Sequence, residues 1–353
     1  MNYSKLILFI SFIFLSCSKE NTFINVSLSY PDYSHSKYHI KFSSSLDDSV
    51  RVTYWSEDTN ILFSNYSYGL THNIVLPFLK SGTNYSFKII SKNSSSQLYT
   101  FRTRELPDSF PSFILEKDST FSFDGYLFFK TQTDPGIHFM LDEKGDVIWY
   151  SIADSVLSRP FNLASRQSFL SLSEKNIFHE ISFYGDTIST IDTGDNLIHH
   201  DLLKKDSVYV TLTYEYLDDA YFKENNILDS LAGDGIVIFN KEGEEIWGWN
   251  IFDHVDPFSE NYVLREDWSH ANAISVDTDG HFLISFRNFD QIWKIHSFTG
   301  EIIWRLGLNG DFNLNNENIF YQQHAIHNID DNTSFTFFDI KFISSSAKSF
   351  HCI

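Results

Sequence analysis

Ile292-Trp293-Lys294-Ile295-His296-Ser297-Phe298-Thr299-Gly300-Glu301-Ile302-Ile303-Trp304 reads as one antiparallel hairpin. A short apolar strand leads into a polar turn, Gly300 supplies the residue that tolerates a left-handed backbone, and a second strand ends in Trp. The same pattern recurs at Ile137–Trp149 and at Ile236–Trp247, with a weaker copy over Phe178–Ile188. Their turn glycines, Gly145, Gly185, Gly243 and Gly300, fall 40, 58 and 57 residues apart. Hairpin units at such a period mark propeller blades, some of them with insertions. One hairpin cannot bury both faces, so the units must stack around an axis. Leu217–Leu231 and Phe252–Glu266 are expected as loops over one face, and Trp149, Trp247 and Trp304 as core packing.

Outward from the repeats, the whole chain reads as all-β. Its 353 residues include 35 Phe and 18 Tyr, types that favour pleated, half-buried surfaces. Sustained apolar spacing of the helical kind is absent. Upstream, six runs predict a small β-sandwich: Asn25–Tyr30, Tyr38–Ser43, Val50–Trp55, His72–Leu76, Tyr85–Ser91 and Leu98–Arg104. Leu79-Lys80-Ser81-Gly82-Thr83-Asn84-Tyr85 resembles the tyrosine corner of fibronectin type III-like domains, in which the Tyr hydroxyl pins a strand crossover. The two prolines of 107–111 place a linker there. The expected organisation is an export segment at 1–16, a sandwich at 17–106, a β-propeller at 112–341 and an irregular tail at 342–353. About four blades are visible in the pattern, so the propeller is expected to be unfinished at its C-terminus.

The N-terminus predicts export. Lys5 precedes an apolar run, Leu6–Leu15, too short for a mature membrane span and suited to a signal peptide. Ser16-Cys17 at its end resembles a bacterial lipobox, which implies cleavage before Cys17 and lipidation of its thiol. Localisation is then the cell envelope, lipid-anchored, facing the periplasm or the cell surface, with the membrane engaged only through the acyl chains. Cys17 and Cys352 are the two cysteines, and a structural disulfide between them is not expected. The formal net charge of -20 argues against nucleic-acid binding. An anionic substrate would need local positive groups.

Four polar clusters interrupt the β-rich framework: Ile198-His199-His200-Asp201, Asp267-Trp268-Ser269-His270-Ala271-Asn272-Ala273-Ile274, Ser285-Phe286-Arg287-Asn288 and Gln322-Gln323-His324-Ala325-Ile326-His327. They recur at intervals that roughly match the blades, and equivalent positions of successive blades converge on a propeller's axis. No paired histidines at metal spacing and no Cys pairs accompany them, so neither a metal nor another cofactor is expected.

These clusters, together with Thr299–Gly307, resemble landmarks of the bacterial aryl-sulfate sulfotransferases over about residues 105–340. That family is a β-propeller preceded by a small β-domain. The resemblance implies that His324 attacks the sulfur of an aryl sulfate and holds the sulfuryl group as sulfohistidine until a phenolic acceptor takes it. It also implies that His200, His270 and Arg287 bind the sulfuryl oxygens, with Asn272 as a further hydrogen-bonding partner. Strand alternation allows only one of His199 and His200 to face the axis and does not say which. His327 is expected to be structural. The implied partners are a small aryl sulfate donor and a phenolic acceptor, with a homodimer left open. Other readings are a non-catalytic binding or adhesion propeller on the envelope, a sulfate-releasing hydrolase and an inactive truncated fragment.

Overall fold

The computed structural model describes residues 20–30, 37–114, 116, 125–131, 133, 136–152, 161–218, 230–259, 263–315, 318–328, 334–339 and 346–351. The export segment, Cys17 and Cys352 lie outside them. The described residues fall into two compact units. One runs to Ile152 except for a short stretch before Ile137, and the other takes up the rest.

In the first unit, β1 (Phe23–Ser29), β2 (Tyr38–Ser44) and β5 (Thr71–Leu76) form one antiparallel sheet in the order β1-β2-β5. A second sheet has the order β4-β3-β6-β7, from β3 (Val50–Trp55), β4 (Leu62–Phe63), β6 (Asn84–Ser91) and β7 (Tyr99–Arg102). Alternate residues of β6, including Tyr85, Phe87 and Ile89, are buried, as a half-buried strand requires. They meet Tyr38, Ile40 and Leu76 of the other sheet in one core. Burying each such side chain stabilises by roughly 1.5–3 kcal/mol. The Tyr85 hydroxyl accepts a hydrogen bond from the Lys80 backbone N–H at 3.1 Å. The two-residue edge strand β4 carries exposed side chains and left no periodic signal in the sequence.

The same unit holds a three-stranded sheet, β8 (Leu127–Lys130), β9 (Ile137–Leu141) and β10 (Val147–Ile152), in the order β10-β9-β8. Lys80 Nζ reaches both acidic residues of the β9–β10 turn, Asp142 at 3.2 Å and Asp146 at 2.5 Å. This first hairpin of the repeat falls within the first compact unit.

The second unit is a succession of antiparallel meanders. Three are four-stranded. The first comprises β11 (Phe161–Leu163), β12 (Ser168–Glu174), β13 (Ile177–Ser182) and β14 (Thr187–Asp192). The next has β15 (Ile198–Lys205), β16 (Val208–Asp218), β17 (Ser230–Phe239) and β18 (Glu245–Asn250). The third contains β19 (Ala271–Val276), β20 (Phe282–Phe286), β21 (Gln291–Ile295) and β22 (Ile302–Gly307). A three-stranded sheet follows, β23 (His324–Asn328), β24 (Ser334–Asp339) and β25 (Ser346–His351). Each sheet keeps its strands in chain order. The first strands lie side by side, β11 next to β15, β15 next to β19 and β19 next to β23. This is the blade arrangement of a β-propeller, and the protein is all-β. The repeat glycines sit at positive φ, for example 86° at Gly243 and 75° at Gly300.

Blade-to-blade contact is partly apolar. Leu212 and Ile236 of one blade share a cluster with Ile274, Ile284 and the fully buried Trp268 and Trp293 of the next. Polar struts add to it. Asp201 Oδ2 accepts the Ile274 N–H at 3.0 Å, and Gln323 Nε2 donates to the Gln291 carbonyl at 2.7 Å.

Two expectations need correction. The loop placed over Leu217–Leu231 is shorter, because β16 and β17 pair as a ribbon through Leu217↔Leu231 to Asp218↔Ser230. The tail at 342–353 is not irregular throughout, because Ser346–His351 pairs with β24 from Asp339↔Ser346 to Ser334↔His351. The segment Ser-Ala-Lys-Ser-Phe-His lacks alternating apolar residues, so the ladder is made by backbone groups that composition does not reveal. Among the described residues no helix is long and apolar enough to cross a membrane.

Candidate active site at the starts of the first strands

Three of the four polar clusters fold into irregular strand starts, and Ser285–Asn288 falls at the end of β20 and in the turn that follows it. Register shifts fall between Ile198 and Leu202, between Ala271 and Ala273, and between His324 and His327. Backbones beside them are left-handed: φ is 51° at His200, 51° at His270, 49° at Gln322 and 54° at Ala325. Such a conformation costs a residue with a Cβ about 1–2 kcal/mol. A bulge of this kind breaks strict alternation and re-aims a side chain.

The bulge settles how the paired histidines divide. His199 is buried, its ring 4.2 Å from that of Tyr214, and its Nε2 lies 3.1 Å from Asp234 Oδ1, off the line of a good hydrogen bond. His200 turns the other way and meets His270 edge to face, with ring centroids 4.9 Å apart. The two neighbours remain joined, Nδ1 to Nδ1 at 2.9 Å. Asp234 can only accept as a carboxylate.

Asp234 is fully enclosed. Burial alone would raise its pKa, but the adjacent His199, with the Ser269 hydroxyl and the Ala271 N–H, holds it below the usual range. Burial, then the charges of His199 and His270, push His200 down to about 4. His200 is thus a neutral imidazole near neutral pH, although part of its surface is open to solvent.

His270 Nδ1 is hydrogen-bonded to Asp267 Oδ2, which leaves Nε2 free. Arg287 follows β20, and its backbone N–H donates to the His270 carbonyl at 3.0 Å. Its guanidinium donates from Nη1 to Asn288 Oδ1 at 3.0 Å and from Nη2 to Gln322 Oε1 at 3.1 Å. Gln322 also receives His324: the Nδ1–H donates to the Gln322 carbonyl at 2.8 Å. That bond fixes the tautomer and leaves the His324 Nε2 lone pair available. Burial lowers the His324 pKa, and the charges of Arg287 and His270 lower it further against the pull of the Gln322 carbonyl. The result is a neutral, oriented nitrogen beside a guanidinium and another imidazole.

The structure therefore brings His200, His270, Arg287 and His324 into one constellation with His199 behind it. Asn272 has a different position. Its Nδ2 donates to the Gln323 carbonyl at 2.7 Å, which ties β19 to the residue before His324. His327 is exposed further along β23. Asp234, Tyr214, Asp267 and Gln322 were not singled out as site residues from sequence. For Asp234 a signal existed, since a carboxylate inside the apolar run Leu231–Phe239 must find partners when buried. Among the described residues no group of three or more His, Cys, Asp or Glu side chains is arranged to hold a metal.

No curated protein matches the chain. Among solved structures, an inactive virginiamycin B lyase from Staphylococcus aureus with quinupristin is 13% identical, over 90% of this chain and 100% of that one, at a TM-score of 0.40. BamB from Moraxella catarrhalis is 10% identical over 78% of this chain and 87% of its own, at a TM-score of 0.29. These are weak likenesses. The family model described as Arylsulfotransferase (ASST) matches residues 97–349, a span that contains every member of the His–Arg constellation. By that match the chain belongs to the arylsulfotransferase family.

Proposed function

We propose that the protein is an aryl-sulfate sulfotransferase that moves a sulfuryl group from a phenolic sulfate ester to a phenolic acceptor through His324. The observation that carries this reading is the tether at Gln322, which holds the His324 imidazole by its backbone carbonyl and the Arg287 guanidinium by its side chain. A nucleophile and an anion-binding fork thus share one support.

In the first step the lone pair on His324 Nε2 attacks sulfur. The N–S bond forms, the S–O(aryl) bond breaks and the electron pair leaves on the phenolate. Arg287 and His270 face the charge that develops on the sulfuryl oxygens. A protonated imidazole gives its proton to the phenolate. The structure favours His200 for this role, since an incoming anion raises its depressed pKa toward neutrality. In the second step the acceptor phenol loses its proton to the same imidazole and attacks sulfur, the N–S bond breaks, and His324 returns to its neutral form. Splitting one displacement into two lowers each barrier. Asp234 and His199 position His200, and Asp267 positions His270. The resemblance at Ser16-Cys17 supports a lipid-anchored envelope location for this activity.

The test is turnover of 4-nitrophenyl sulfate with and without added phenol. Release of 4-nitrophenol is expected to depend on the phenol. Donor alone should leave a sulfuryl group on the peptide containing His324, seen by mass spectrometry. Undiminished turnover in His324→Ala would remove the reading.

A further inference from the structure

Against the blade of β19–β22 lies a cleft of about 340 Å³ lined by Arg265, Asn288, Phe289, Asp290, Gln291 and Arg305 among others. Its electrostatics run against the rest of the molecule. The chain carries a net charge of -20, yet neither guanidinium here has a carboxylate partner among the described residues. Arg265 makes one hydrogen bond, from Nη1 to Asn288 Oδ1 at 3.3 Å. Arg305 lies over the Trp293 ring, 4.8 Å from its centroid, and its buried Nε has no hydrogen-bond partner among the described residues. Stacking holds that fork in place without using its donors. Among the described residues Asp290 is the carboxylate that lines the cleft, and its Oδ1 already accepts the Gln322 N–H at 2.7 Å. Phe289 adds an aromatic wall.

The cleft adjoins the proposed sulfuryl site through Asn288 and Asp290. Asn288 Oδ1 receives both Arg265 Nη1, at 3.3 Å, and Arg287 Nη1, at 3.0 Å. A ligand whose reacting oxygen sits at Arg287 therefore has a second cationic, partly aromatic recess one side chain away. We infer that this cleft binds the carboxylate of an aromatic substrate, so that the protein prefers phenols and aryl sulfates that carry a carboxylate. The inference rests on the sulfotransferase reading for the word substrate. The anion-binding property stands on the cleft alone. A planar carboxylate matches a guanidinium fork better than any neutral substituent does.

Binding distinguishes the two ideas, because it needs no turnover. Ligand-observed NMR on the full chain would compare 4-hydroxybenzoate with its uncharged counterpart, 4-methylphenol. The wild type is expected to bind the carboxylate at least ~10-fold tighter, the scale of one charge-assisted hydrogen bond. Arg265→Gln, an exposed position, should reduce that preference several-fold, and Arg265→Gln with Arg305→Gln should abolish it. Equal affinities in the wild type, or a preference that survives Arg265→Gln unchanged, overturns the inference. A protein that shows the preference but transfers no sulfuryl group from 4-nitrophenyl sulfate keeps the cleft and loses the proposed function. Transfer without any preference does the reverse.

Discussion

The imidazoles of His200 and His270 meet edge to face at 4.9 Å, and each belongs to a residue whose φ is 51°. Two adjacent blades thus present the same backbone distortion at the same place, and the distortion is what lets their rings converge. Each ring is anchored on its far side by a carboxylate system, Asp234 through His199 for one and Asp267 for the other. The arrangement makes His200 sensitive to its neighbour. Replacing His270 by Gln removes one electrostatic contribution that holds His200 down, so the His200 pKa should rise from about 4. An NMR titration of the imidazole signals checks this, and an unchanged value would mean that burial and His199 set it without His270.

Gln322 is exposed and links Arg287 to His324. Gln322→Leu keeps the backbone carbonyl that orients His324 and removes the acceptor that orients Arg287. Sulfuryl transfer should slow by roughly tenfold, while stability stays within about 0.5 kcal/mol, as for most surface changes. Steady-state kinetics and urea unfolding measure the two effects separately.

Asp234 accepts the Ser269 hydroxyl and the Ala271 N–H, lies beside His199 and is buried. Asp234→Ala leaves those groups unpaired in the interior. The expected loss is about 3–5 kcal/mol of folding stability, the range for breaking a buried ionic network. Chemical denaturation reads it directly, and a loss below about 1 kcal/mol would show that the network is not coupled to folding.

Asp201 is pushed up to about 7 by burial, against the hydrogen bonds from the Ile274 and Leu202 N–H groups and from Asn162. An unfolded Asp titrates near 3.9. The folded state therefore holds more protons between those values, and its stability from this group declines as pH rises toward 7. Asp201→Asn, which keeps an acceptor for Ile274, should stabilise the protein more at pH 8 than at pH 5. Unfolding curves at both values test the sign.

Ala325 has φ 54° next to His324, in an exposed position. Glycine adopts that region without the Cβ clash. Ala325→Gly is expected to stabilise the native state by roughly 0.5–1 kcal/mol after its greater unfolded entropy is counted. A decrease in the denaturant midpoint would show that the left-handed conformation here is not strained.

Much of the fold was legible because hairpin chemistry is local. Gly300 between Ile292–Ile295 and Ile302–Trp304 announces a turn and two strands on its own, and β21 and β22 lie there. The same holds for β3 and β6, whose alternation mirrors a half-buried surface. β25 was not legible, because Ser346–His351 is held by backbone pairing with β24 and carries no pattern of its own. The polar clusters could be seen as candidates because His, Arg and Asn stand out in apolar strands, but their division of labour could not be seen. Alternation treats His199 and His200 as opposites, whereas a bulge lets one stand behind the other and keeps them bonded. The sequence by itself determined the strands, the turns and the kinds of side chain available for chemistry, since propensity and periodicity act over a few residues. Only tertiary structure decided that Asp234 anchors His199, that Gln322 joins Arg287 to His324, and that Arg265 and Arg305 face one cleft. Those relationships arise where separate strands and blades pack together, and no local pattern records which distant residue arrives opposite.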